Sequence, residues 1–118
     1  MDWEIYKELA ADERKERAER RHDAELEFAQ AKLLALRRGF MLRRNTDAHY
    51  TLAAGQAGHW LWLWDLYPGK QRITRGRNQP HTPRLHVPWP WTLLQVVQAA
   101  SALQDRERVR SEEGDRAT

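Results

Sequence analysis

Apolar and polar positions along this chain change period twice. Between Trp60 and Tyr67 they alternate, with Trp60, Trp62, Trp64 and Leu66 interleaved with Leu61, Leu63, Asp65 and Tyr67. A period of two predicts a strand with the three indoles on one face and two leucines and a tyrosine on the other. Upstream, Leu26, Ala29, Leu33, Leu36 and Phe40 recur at intervals of three and four, the seam of a helix that docks on a core. Downstream, Leu93, Val96, Val97, Ala100 and Leu103 trace a stripe at the same spacing, with Thr92 placed to cap the helix that carries it.

Turn chemistry joins these segments. Gly39 follows Arg37 and Arg38, bases suited to a last turn and a glycine able to turn left-handed, so the first helix ends near Arg38. Phe40–Arg44 and His49–Ala53 read as strands of a hairpin closed by Asn45, Thr46 and Asp47. A loop over Gly55–Gly58 leads into the tryptophan strand, His59–Tyr67, and Pro68-Gly69 turns it toward Gln71–Arg75. Pro80, Pro83, Pro88 and Pro90 exclude a central strand or helix over 76–91 and leave an extended surface loop, with a short edge strand at Leu85–Val87 as its most regular form.

The layout is α+β: an N-terminal helix, an antiparallel meander of three to four strands, and a C-terminal helix packed on one face. Residues 12–23 hold five acids and five bases, with Glu13 and Arg17, and Glu16 and Arg20, four apart, which predicts an exposed helix. The domain reading is a charged helical extension over 1–25, one α+β domain over 26–104, and a flexible charged tail over 105–118, where a single large apolar residue, Val109, offers little burial to offset the entropy of ordering.

The 118 residues suffice for one domain with a small core. The absence of cysteine excludes a disulfide framework, a thiolate nucleophile and cysteine-ligated zinc. No apolar run approaches the ~20 residues of a membrane helix, and the charged N-terminus is unlike a secretion signal. A cytoplasmic protein without a membrane partner is expected.

Charge is distributed unevenly. Between Arg37 and His86 stand nine bases, Arg37, Arg38, Arg43, Arg44, Lys70, Arg72, Arg75, Arg77 and Arg84, against Asp47 and Asp65, a net +7 in a chain whose total is +3. A positive centre attracts polyanions, so nucleic acid or a nucleoprotein complex is the implied partner. Arg43, Arg44, Lys70, Arg72, Arg75, Arg77 and Arg84 are candidates for holding phosphates. Trp60, Trp62 and Trp64 are candidates for stacking bases if their face is open, and core residues if it is covered.

Other chemistry is sparse. His49, His59, His81 and His86 are candidates for a metal site with Asp47 or Asp65, but none has the spacing of a metal motif, and no metal or cofactor is expected. Phosphate loops and nucleophile elbows are missing. A non-enzymatic binding protein is therefore the leading reading. The amphipathic half of the first helix offers a route to a homodimer.

Two family resemblances follow from particular residues. Leu33-Leu34, Gly39-Phe40, His49-Tyr50 and the run Trp64-Asp65-Leu66-Tyr67-Pro68-Gly69-Lys70 ahead of a terminal helix resemble small phage and prophage proteins with a Trp/Tyr-Pro-Gly hairpin. That resemblance, to proteins whose activity is mostly unassigned, implies a mobile-element protein and, as the alternative to the nucleic-acid binder that the basic centre suggests, an inhibitor of a host defence complex of the anti-CRISPR type. Gly39-Phe40 followed by His49, with Thr92-Leu93-Leu94-Gln95-Val96-Val97-Gln98-Ala99 closing the domain, is similar to HicA-type mRNA interferases, which have the layout of double-stranded-RNA-binding domains. This second resemblance implies ribonuclease activity with His49 as the catalytic residue; the Gly-Ser that precedes the histidine in that family is Asp47-Ala48 here.

Overall fold

The Asp2 side chain accepts the Glu4 backbone N–H (3.2 Å) and starts α1, which runs from Trp3 to Arg37 in the computed structural model; the structure describes residues 2–56, 58–77 and 82–117. The Arg38 N–H closes the helix on the Leu34 and Ala35 carbonyls, and Gly39 turns away at φ +81°, the left-handed stop its position predicts. Four antiparallel strands follow in meander order: β1 (Phe40–Thr46), β2 (His49–Gln56), β3 (His59–Tyr67) and β4 (Arg72–Arg75). A 3-10 turn over Pro68–Lys70 joins β3 to β4. α2, Leu93–Ala117, closes the fold. The α+β layout read from the sequence is the one observed.

Both helices lie on one face of the sheet. Between them and the strands sit Phe40 and Leu42 of β1, Tyr50 and Leu52 of β2, Trp64 and Leu66 of β3, and Leu93, Val96, Val97 and Ala100 of α2. Complete burial of a leucine, valine or phenylalanine contributes about 1.5–3 kcal/mol each, and Phe40, Leu42, Leu52, Leu66, Val96 and Val97 are all below 2% exposed.

The tryptophan strand departs from simple alternation. Leu52 lies opposite Trp64, but Ala53 lies opposite Trp62, so Leu63 is an extra residue in β3. A bulge of this kind inverts the phase of the strand beyond it. The three indoles therefore do not share a face. Trp64 is in the core, whereas Trp60 and Trp62, opposite Gly55 and Ala53, stand on the face without helices.

α1 also docks differently from its leucine seam. Ala31 and Ala35 are fully buried, flanked by Phe28 and Leu34, while Leu26, Leu33 and Leu36 are each about half exposed on the other side. Two alanines four apart let the helix axis approach closely, and the Glu27 carboxylate on this side accepts the Leu93 N–H at the start of α2 (2.7 Å). Close approach together with that tie at a helix N-terminus outweighs the larger side chains opposite.

The segment 82–91 crosses the edge of the sheet as an extended strap, and Leu85–Val87 is not a strand. Trp64 donates its indole N–H to the Pro83 carbonyl (2.9 Å), and the Trp91 N–H donates to Gln71 Oε1 (2.8 Å). At the far end of the strap Thr92 and Gln95 cap α2 reciprocally, the Thr92 N–H to Gln95 Oε1 and the Gln95 N–H to Thr92 Oγ1. α2 then continues well past Leu103, where its apolar stripe ends, with Asp105–Arg108 and Glu107–Arg110 pairs along its exposed length. Among the described residues no helix is long and apolar enough to cross a membrane.

Candidate nucleic-acid interface

Strand register sorts the candidate residues by face. Arg43 is opposite Thr51, Thr51 is opposite Asp65 and Asp65 is opposite Thr74, which makes one row across the sheet on the side away from the helices. Arg72, opposite Tyr67, shares that side. Trp62 is 40% exposed there. A Cβ on Gly76 would come within 3.1 Å of the Trp62 indole and 2.5 Å of its carbonyl oxygen, so the strand end after β4 lies directly against this tryptophan. Arg77, the next residue, is exposed.

The same face carries an imidazole held by a carboxylate. His49 Nε2 and Asp65 Oδ1 are 2.5 Å apart, and the His49 ring stacks on Tyr67 with centroids 4.7 Å apart and planes within 5°. The neighbouring Asn45 amide donates to Thr51 Oγ1 (2.6 Å). Asp65 is buried within this network, which satisfies its acceptors. His49 and Asp65, sixteen residues apart in the chain, meet through the β2–β3 register, a pairing that composition and spacing alone do not display.

The remaining candidates are placed elsewhere. Arg44 lies on the helix side, bound bidentately to Glu25 of α1 (2.5 and 2.8 Å) with its guanidinium 4.5 Å from the Phe28 ring centroid. That hydrogen-bonded pair pulls the Glu25 carboxyl below the usual carboxylate range and holds the Arg44 guanidinium further above its own. Nearby, burial pushes the Tyr50 hydroxyl upward. Trp64 is 3% exposed and belongs to the core. Lys70 occupies the exposed 3-10 turn, Arg75 lies opposite Trp64 on β4, and Arg84 is exposed on the strap. His81 lies outside the described residues. Among the described residues no group of three potential metal-ligating side chains comes together.

Arg43, Trp60, Trp62 and Arg72 thus share one face. Arg75 and Arg84 stand at the sheet's edge, and Arg44 and Trp64 serve the fold. The chain matches no protein-family model, no curated protein and no solved structure.

Proposed function

We propose that this protein binds single-stranded nucleic acid on the helix-free face of its sheet. The observation that carries this reading is the bulge at Leu63, which sets Trp60 and Trp62 outside the core on the same face of the sheet as Arg43 and Arg72. Trp62 is exposed and Trp60 half-buried; an accessible indole stacks on any base, each stack being worth about 1–3 kcal/mol, and guanidinium groups hold the phosphates. Asp65, the carboxylate in the centre of the face, is occupied by His49, which leaves the field of the surrounding arginines less opposed.

The test is a titration of a labelled single-stranded oligonucleotide at several salt concentrations. Neutralising about four phosphates gives a slope of log affinity against log salt near −2.8. Trp62→Ala is expected to weaken binding by roughly 5- to 150-fold, the equivalent of one lost stack. Arg44→Ala, on the other side of the sheet, is expected to leave affinity unchanged. Binding that is indifferent to salt, or to both Trp60→Ala and Trp62→Ala, overturns the reading.

A second reading is favoured by the His49–Asp65 pair. A carboxylate that orients an imidazole prepares it as a general base, and on a face that binds RNA its chemistry is removal of the 2′-hydroxyl proton as that oxygen attacks the adjacent phosphorus, the bond from phosphorus to the next nucleotide's 5′-oxygen breaking to leave a 2′,3′-cyclic phosphate while the departing 5′-oxygen takes a proton from water. RNA cleavage abolished by His49→Ala, with binding retained, supports it. Cleavage unaffected by that substitution removes it.

A further inference from the structure

The strap and the edge of β4 enclose a cleft of about 520 Å³ that meets the stacking face only at Arg72 and Thr74. Its walls carry Arg72, Arg75, Arg84 and His86, and among the described residues no carboxylate lines it. The buried indoles of Trp64 and Trp91 form its floor, with Leu85 and Val87 along the strap. The strap is held at both ends, by the Trp64–Pro83 and Trp91–Gln71 hydrogen bonds, so the cleft is formed before anything enters it.

We propose that this cleft is a binding site for a nucleoside phosphate. Three properties select that class. Three arginines line the cleft and, among the described residues, no carboxylate does, a lining that favours a dianionic phosphate, which a guanidinium can hold bidentately. The volume lies within the range of cavities that take drug-sized organic ligands, and an apolar floor accommodates a ring that bare phosphate lacks. The third is a hydrogen-bonding wall. β4 is an edge strand, and the Gly76 N–H donates back to the Leu63 carbonyl (2.7 Å). The alternation of an antiparallel ladder then turns the N–H and C=O of Ile73 outward into the cleft, a donor and an acceptor for the edge of a base.

The nucleoside phosphate has two sources, a free nucleotide or the phosphorylated end of a strand lying on the neighbouring face, with which the cleft shares Arg72. Backbone amide shifts in the full-length protein distinguish them. Adenosine 5′-monophosphate is titrated against adenosine and against inorganic phosphate, and an eight-nucleotide strand is compared with and without a 5′-phosphate. Saturable shifts at Ile73, Leu85 and Val87 are expected with the monophosphate, at least tenfold tighter than with adenosine or phosphate. Saturation only by the 5′-phosphorylated strand assigns the site to a strand end. The double substitution Arg84→Ala, His86→Ala is expected to abolish these shifts by at least tenfold in affinity and to leave binding of the unphosphorylated strand within about threefold. Trp62→Ala is expected to do the reverse, so failure of the cleft and failure of the stacking face are told apart. Equal occupancy by inorganic phosphate, no saturation by any probe, or indifference to the double substitution overturns the proposal.

Discussion

Arg44 shows how one side chain can be withdrawn from a function its charge suggests. It belongs to the basic central stretch, yet its guanidinium bridges Glu25 and covers Phe28 on the helix side, so it joins α1 to β1 instead of facing a ligand. The consequence is a pH dependence of stability with a definite sign. The Glu25 carboxyl titrates lower in the folded chain than in the unfolded one because Arg44 hydrogen-bonds it. Its contribution is therefore present above the ordinary carboxylate range and is lost as pH falls through the folded value. Urea unfolding of the wild type and Glu25→Gln should differ at pH 6 and converge toward pH 3. A difference that stays constant across that interval excludes the pair as its cause. The tryptophans divide in the same way: Trp64→Ala should cost about 3–5 kcal/mol, as truncation of a buried aromatic does, whereas Trp62→Ala should act on binding.

At the scale of elements, what was legible in the sequence was whatever local chemistry decides. Gly39 ends α1, Thr92 caps α2, and Pro68-Gly69 turns β3 into β4 because each acts on its own neighbours. The docking face of α1 was not legible, since leucines at three and four spacing lie opposite alanines at the same spacing, and close approach at Ala31 and Ala35 decided between them. Nor was the bulge at Leu63, because the tryptophans continue to alternate through it while their partners in β2 do not. The stacking face was visible as a set of residues and hidden as a surface, and the His49–Asp65 pair needed the register. Beyond the bulge, the turn end of the β2–β3 hairpin carries its own constraint at Gly55, opposite Trp60. The φ of Gly55 is +140°, and a Cβ there would meet the His59 carbonyl oxygen at 2.2 Å. Gly55→Ala combines a backbone conformation costing about 1–3 kcal/mol with a collision against rigid backbone. A lower urea midpoint at unchanged slope is the expected result, and an unchanged midpoint would show that the β2–β3 connection re-forms in another register.

The whole molecule is 80 Å long and at most 30 Å across, because α1, about 52 Å long, extends far beyond the sheet that supports its last three turns and α2 also continues past the core. From Trp3 to Leu26 every residue is exposed, Trp3, Ile5, Tyr6 and Leu9 among them. What stabilises that length is local: the Asp2 cap, the Glu13–Arg17 pair, and Lys7 over the Trp3 ring at 5.8 Å. Such pairs are worth a few tenths of a kcal/mol each, and a helix without tertiary packing is marginal in water. The chain therefore has two levels of stability. Amides around Ala31–Arg37 and in β2 and β3 should exchange with solvent only on global unfolding, while those of residues 5–20 exchange by local opening at little cost. Removing residues 2–21 takes away no buried side chain, so the melting temperature should move by less than about 4 °C, the smallest shift that ~1 kcal/mol produces in a domain of this size, while far-UV circular dichroism loses the helix. Slow exchange along residues 5–20 that weakens on dilution would mean that the arm is covered by a second copy, and its exposed aromatic end would then be an interface.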